Sequence, residues 1–233
     1  MDAPTFVFLH VGADTQLPRL LTASIRRLQP GARVIQCADD ATPEILAVDR
    51  VHRMKGDVSR LMTFRLGAFA SLQLTGPAIY LDTDMLCVGQ VDPAQALGAN
   101  EAAVCRREFD RDALFNTGFR GMDLRQYEGC TLDAVYPYLA CATVTRDAAF
   151  WASCLRELEQ MPEQFHRWYG DQEALRKVVD EGAYRVGHLP ESRFARLPDR
   201  PVPTGTDVRL LHFKGAARKA LMLSCARQMQ IAA

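Results

Sequence analysis

The run AIYLDTDMLCVG, Ala78 to Gly89, sets two carboxylates, Asp82 and Asp84, one residue apart at the end of a short apolar stretch. Two acids this close repel each other, and a pair that stays ionised needs positive charge beside it. A hard divalent cation with oxygen ligands supplies that charge. Mg2+ and Mn2+ take few protein ligands and complete their shells with water and substrate phosphates. In an open α/β sheet, ligands bind beyond the carboxyl ends of the strands, which is where this pair falls. It reads as a site for Mn2+ (or Mg2+) that holds a phosphorylated substrate; the plainer alternative is a pair of solvated turn acids after an edge strand.

An alternation of strand and helix has to carry such a site. TFVFLHV reads as a strand, LPRLLTASIRRLQ as a helix and PGARVIQC as a turn and second strand. A polar connection containing Pro43 and Gly56 leads into DVSRLMTFRLGAFASLQL, an amphipathic helix stopped by TGP before the strand AIYL. EAAVCRR reads as another strand, and the stretch from Glu108 to about Tyr138 as loop with short elements. RDAAFWASCLRELEQM and DQEALRKVVDEG read as helices, the second with Asp171 as N-cap and Gly182 as its stop. YRVGHL and VRLLHF follow as strands around the proline-rich loop SRFARLPDRPVPTGTD, and KALMLSCARQMQ closes as a helix. The pattern is α/β, and 233 residues, 48% of them hydrophobic, suffice for one sizeable core with no linker dividing it.

Charge and cysteine usage narrow the setting. Twenty-eight basic residues balance twenty-eight acidic ones, so no overall field draws the chain to nucleic acid or to an anionic membrane. The seven cysteines show no CxxC or Cys/His zinc spacing and read as reduced core thiols. The opening MDAPTFVFLHVGAD has an acid where a secretion signal carries bases, and its apolar run is too short to span a bilayer. The expectation is a soluble, cytoplasmic protein with no transmembrane segment, with peripheral membrane contact left open.

Asp82-Thr83-Asp84 resembles the DxD segment of metal-dependent GT-A fold glycosyltransferases, and more narrowly of family eight, the retaining family that includes glycogenin and bacterial lipooligosaccharide galactosyltransferases. Three further pieces agree with that family in order and spacing. SRLMTFRL resembles its helix with an arginine, here Arg65, at a set interval before the first aspartate. GDQEAL resembles its Asp-Gln pair, and LLHFKGAARK its HxxGxxK motif. The resemblance implies a single domain over 1–233 with the GT-A type nucleotide-diphospho-sugar transferase fold, a mixed, mostly parallel sheet flanked by helices. Residues up to about 110 would form the donor-nucleotide half, and the rest would close over donor and acceptor. The implied activity is that of a hexosyltransferase, moving a sugar from a nucleotide diphosphate donor, UDP by analogy, with retention of configuration. The acceptor stays open among glycan, lipid-linked and other molecules, with nucleic acid disfavoured.

The resemblance also implies roles. Asp82, Asp84 and His212 would hold the metal, and Arg65 would reach the donor or the DxD carboxylates. Gly215 would let backbone approach the diphosphate. The family's lysine position is Arg218 here and Lys219 follows, so either supplies the positive charge. Asp171 would bind donor-sugar hydroxyls, and Gln172, which has no evident structural task, would lie by the anomeric carbon. His10, Val11 and Gly12 fall where the family holds the base; its base-contacting acid falls near Val11, and Asp14 is the available substitute. Two stretches compete for the turn against the sugar: Asn116 to Gly118, and Ala140, Cys141 and Ala142. Spacing favours the second and leaves Asn116 to an acceptor loop. Trp168 and Tyr169, just before Gly170 and Asp171, are placed to stack on a sugar face, whereas Trp151 reads as helix packing.

Three other classes compete. A haloacid dehalogenase type phosphatase also uses a DxD after a strand, but near the chain's start and followed by threonine-like residues, not Met-Leu-Cys. A sugar nucleotidyltransferase would show a glycine-rich, basic loop after the first strand, and HVGADTQLP has one glycine and no base beyond its histidine. A non-catalytic nucleotide-sugar binder is the closer rival, because the turn residues depart from the family's.

Overall fold

The computed structural model describes residues 3–118, 122–199 and 207–231. The middle of FNTGFRGMD and residues 200–206 of the proline-rich loop lie outside these residues. In β1 (Thr5–Leu9), Phe6 and Phe8 join one apolar cluster and Val7 the other, all essentially inaccessible, so both faces of the strand are covered as a parallel sheet requires. β2 (Arg33–Ala38) runs parallel to β1, and β3 (Arg50–Arg53) parallel to β2. The sequence RVHR gives no apolar run, which is why β3 is not visible before the fold is known; it is a polar edge strand. β4 (Ala78–Leu81) lies on the other side of β1, also parallel.

From β4 the chain turns at Asp82–Asp84 and leaves the sheet as β5 (Met85–Cys87). β6 (Ala102–Arg106), β7 (Tyr138–Thr145) and β8 (Val186–Pro190) complete the main sheet, in the order β3-β2-β1-β4-β7-β6-β8 among the described residues. β7 alone is antiparallel to its neighbours, and all eight of its residues are buried. The sheet is thus mixed and mostly parallel, as the alternating pattern suggests. β9 (Leu210–His212) pairs with β5, antiparallel, setting Met85 opposite His212, and takes a parallel bridge from Arg196 at Leu211 on its other edge.

Helices cover both faces. α1 (Gln16–Leu28) carries Leu21 and Ile25 at helical spacing into the cluster that holds Phe6 and Phe8, joined there by Leu97 of α3 (Pro93–Leu97). On the opposite face, α2 (Leu61–Ser71) packs with the later α5 (Ala149–Glu159), α6 (Glu163–Arg167) and α7 (Gly170–Asp180), with the one-turn α4 (Leu132–Val135) preceding β7. Phe69, Tyr80 and Trp151 meet there with ring centroids 4.8–5.1 Å apart, so Trp151 is core packing, as its sequence setting suggests. Gly182, at φ 69, follows the end of α7 in the left-handed conformation that glycine favours. α8 (Glu191–Phe194) follows β8, and α9 (Ala216–Gln228) packs against the β5 and β9 pair through Met222 and Ala226. All seven cysteines are free thiols, five of them buried. Among the described residues no helix is long and apolar enough to cross a membrane.

Candidate functional site

The two-stranded β5/β9 sheet is what brings Asp84 to His212. Met85 registers against His212, and the Phe213 amide donates to the Asp84 carbonyl at 2.8 Å. A slip of one residue would turn His212 to the other face of the strand. As built, one ligand atom from each of Asp82, Asp84 and His212 lies within 4.8 Å of the others. These three line a cleft of about 320 Å3 together with His10, Val11, Arg65, Thr83, Cys141, Trp168, Asp171, Gln172 and Lys219. Six stretches of the chain, around residues 10, 65, 83, 140, 170 and 212–219, therefore meet at one opening, at the carboxyl ends of β1 and β4.

Arg65 organises one wall. Its guanidinium forks to Asp82 at 2.7 Å and Asp171 at 2.9 Å, and donates to the Ala140 carbonyl at 3.1 Å. Burial alone would lower the arginine's pKa, but the two carboxylates outweigh that and raise it. Asp171 is held above its usual range, because burial and nearby Asp82 outweigh the attraction of Arg65. Asp171 is not the N-cap expected from the sequence. α7 starts at Gly170 behind Tyr169, and Asp171 sits in the first turn, where its Oδ1 accepts from the Gln172 amide at 2.8 Å.

Gln172 has a structural task that its sequence setting hides. Between the pairs Val104–Thr143 and Cys105–Leu139, the sheet register breaks and β7 carries Ala140, Cys141 and Ala142 as a bulge. Gln172 splints it: Oε1 accepts from the Ala140 amide at 2.8 Å, and Nε2 donates to the Tyr138 carbonyl at 2.5 Å. Asp82 adds its amide to the Cys141 carbonyl at 3.0 Å. The bulge, not the Asn116 turn, therefore faces the paired acids. Asn116 is exposed, accepts from the Gly118 amide at 3.0 Å and does not line the cleft.

The junction before α7 is tight. Tyr169 adopts φ 69, and a Cβ on Gly170 would stand 2.1 Å from the Phe165 carbonyl oxygen and 2.4 Å from Leu158. Backbone cannot yield that far. Gly170→Ala is expected to cost about 3 kcal/mol or more and to lower Tm by roughly 6–12 °C; calorimetry showing an unchanged Tm would contradict this packing.

At the metal-ligand cluster, Arg65 and Lys219 already give the acids positive neighbours, Lys219 Nζ standing 3.4 Å from Asp84 Oδ2. Asp84 Oδ1 is different. It is buried with no hydrogen-bond partner, His212 Nε2 being 3.5 Å away. A buried carboxylate oxygen left in this state is costly, and a cation would satisfy it. Two carboxylates and an imidazole form a donor set suited to Mn2+. The residues present fit such an ion. Burial pulls the His212 pKa down, but Cys141 and Asp84 beside it outweigh that and raise it, so a cation would compete with a proton for the ring. Burial pushes the Cys141 thiol up to about 11, so it is uncharged near neutrality.

The remaining expected residues divide. Lys219 faces the cleft from the first turn of α9, while Arg218 is paired with Asp199 at 2.7 Å and, like Gly215, does not line it. Gly12 also stands back, its amide donating to Thr42 Oγ1. The His10 amide is used by the Cys37 carbonyl, and its ring is read as neutral, donating from Nε2 to Asp14 O at 2.9 Å and accepting at Nδ1 from Gln36. Asp14 accepts from the Gln16 amide. Of the first loop, Val11 and the His10 surface thus face the cleft. Trp168 and Tyr169 line it together, while Tyr136, which also lines it, is not singled out by the sequence, since nothing local distinguishes it from other core aromatics.

No protein-family model matches the chain, and no curated protein matches it significantly. The functional reading therefore rests on the site and on the motif resemblance alone.

Proposed function

We propose that the protein is a metal-dependent glycosyltransferase of GT-A type, moving a hexosyl group from a nucleotide diphosphate sugar, UDP-linked by resemblance, to an acceptor. The observation that carries this reading is the convergence of Asp82, Asp84 and His212 on one cleft with Arg65, Asp171 and Lys219. An acidic and imidazole cluster beside a mobile lysine, at the carboxyl ends of parallel strands, suits a cation and a diphosphate.

Asp82, Asp84 and His212 would hold Mn2+ (or Mg2+), which as a bound Lewis acid would offset negative charge on the diphosphate leaving group. Lys219, 46% exposed, is free to turn from Asp84 onto a phosphate oxygen. Arg65 fixes Asp82 and Asp171 in place, so that both carboxylates are oriented before substrate arrives. Asp171 presents acceptor oxygens to donor-sugar hydroxyls, while Gln172 holds the β7 bulge that forms the wall beneath them. Among the described residues Gln172 is committed to backbone and Asp82 and Asp171 to Arg65, with Asp84 left to the metal, so no carboxylate lining the cleft is spare to serve as base for inversion or as nucleophile. Retention by acceptor attack on the leaving-group side is the reading that this arrangement supports.

Incubation with a panel of UDP-sugars and Mn2+ tests it. UDP release that stops with EDTA, and a product whose NMR spectrum keeps the donor's anomeric configuration, are the expected outcomes. Tight, metal-dependent UDP binding without any turnover would instead favour the non-catalytic nucleotide-sugar binder.

A further inference from the structure

Beside the cleft, two cations share one aromatic ring. Arg107 Cζ and Lys214 Nζ each lie 4.6 Å from the centroid of Tyr136, and Lys214 Nζ is 3.3 Å from its hydroxyl. Arg107 is only 8% exposed and is locked by Nε donating to the Tyr136 carbonyl at 2.8 Å and Nη1 to Phe109 O at 3.5 Å. Desolvation of the ammonium, and after it the Arg107 guanidinium, lower the Lys214 pKa. The two basic side chains that line the cleft each have an acid: Arg65 has Asp82 and Asp171, and Lys219 has Asp84. Among the described residues no carboxylate lies in ion-pair contact with Arg107 or Lys214.

The acids around the pair are already committed, Asp82 among them to Arg65. Glu191 Oε2 accepts from the amides of Glu108 and Phe109 at 2.8 and 3.0 Å, and Asp133 is taken by Arg106 and Arg111. An anchored guanidinium and an ammonium gathered at one tyrosine offer N–H donors to a tetrahedral anion. Tyr136 also fixes where that anion would sit. Its ring meets Tyr169, the residue that opens α7 ahead of Asp171, with centroids 5.9 Å apart. The pair therefore borders the Tyr169 and Asp171 wall of the cleft, with Cys141 and Asp82 also acting on Lys214.

Building on the glycosyltransferase reading, we propose that Arg107 and Lys214 form an anion subsite that holds a phosphate group of the acceptor, making the acceptor a phosphate-bearing molecule and not a neutral glycan. The donor diphosphate is the other source of such a group, and the test must separate the two.

Inorganic phosphate, with acetate as the carboxylate control, is titrated by calorimetry at constant ionic strength into the protein alone and into protein saturated with UDP and Mg2+, which keeps phosphate in solution. Phosphate is expected to bind the loaded protein, more tightly than acetate. Lys214→Met and Arg107→Gln should each weaken it about tenfold and leave UDP affinity within about twofold. Lys214 is exposed, so its variant reads the site even if loss of the buried Arg107 disturbs folding. Phosphate that binds only in competition with UDP, acetate binding equally well, or affinity unchanged in Lys214→Met would each overturn the subsite. Failure of UDP to bind, with phosphate still bound and lost in Lys214→Met, would sink the donor reading and leave the anion site standing.

Discussion

Asp84→Asn is expected to lower metal-dependent UDP release by roughly 100- to 1,000-fold, the loss that several kcal/mol of leaving-group stabilisation represents. Asparagine keeps the shape of the side chain but not its charge. The fold asks little of that charge: Oδ1 has no hydrogen-bond partner, the β5/β9 contacts run through the Asp84 backbone, and Lys219, the partner of Oδ2 at 3.4 Å, is half-exposed. The variant should therefore stay within about 1 kcal/mol of the parent in stability. Steady-state rates across Mn2+ concentrations check both halves of the expectation. Activity near the parental level would remove Asp84 from the metal site.

Arg65→Ala should act on stability first. It strips the counter-charge from Asp171, which is buried, and from Asp82, which is partly exposed. Breaking a buried pair from one side costs about 3–5 kcal/mol, on the order of a 10 °C fall in Tm for a chain of this size. The pH dependence has a definite sign. Asp171 already has a folded pKa above 3.8, and removing Arg65 takes away an interaction that lowers it. The folded variant then binds a proton more readily than the unfolded chain, so its stability falls as pH rises through the folded value and returns as pH drops toward 3.8. Arg65→Ala/Asp171→Leu should recover part of the loss at neutral pH, since the stranded acid is gone. Denaturant melts of the single and double variants measure the coupling, and additive losses would contradict the buried network.

The polar residues that break an apolar pattern were legible before the fold. Asp82 and Asp84 end a strand whose four residues are all buried, and Arg65, Asp171, His212 and Lys219 stand in short motifs whose order the fold respects. What could not be read depends on contacts between distant backbone segments. Gln172 looks free in sequence because its partners are the Tyr138 carbonyl and the Ala140 amide, and a bulge in β7 leaves no trace in residue types. The three-residue strands β5 and β9 are too short to show a period, yet their register is what sets His212 beside Asp84. Choosing Lys219 over Arg218 likewise needed α9 in place, with Asp199 beside Arg218.

The most direct test is a calorimetric titration of Mn2+ into the parent and into His212→Ala, with and without UDP, at about pH 6 and about pH 8. The account predicts one ion per chain, tighter binding with UDP, affinity in the parent that rises with pH as the imidazole gives up its proton, and loss of both the tight site and that pH dependence in the variant. Equal Mn2+ affinity in the two proteins, indifferent to UDP, would contradict it.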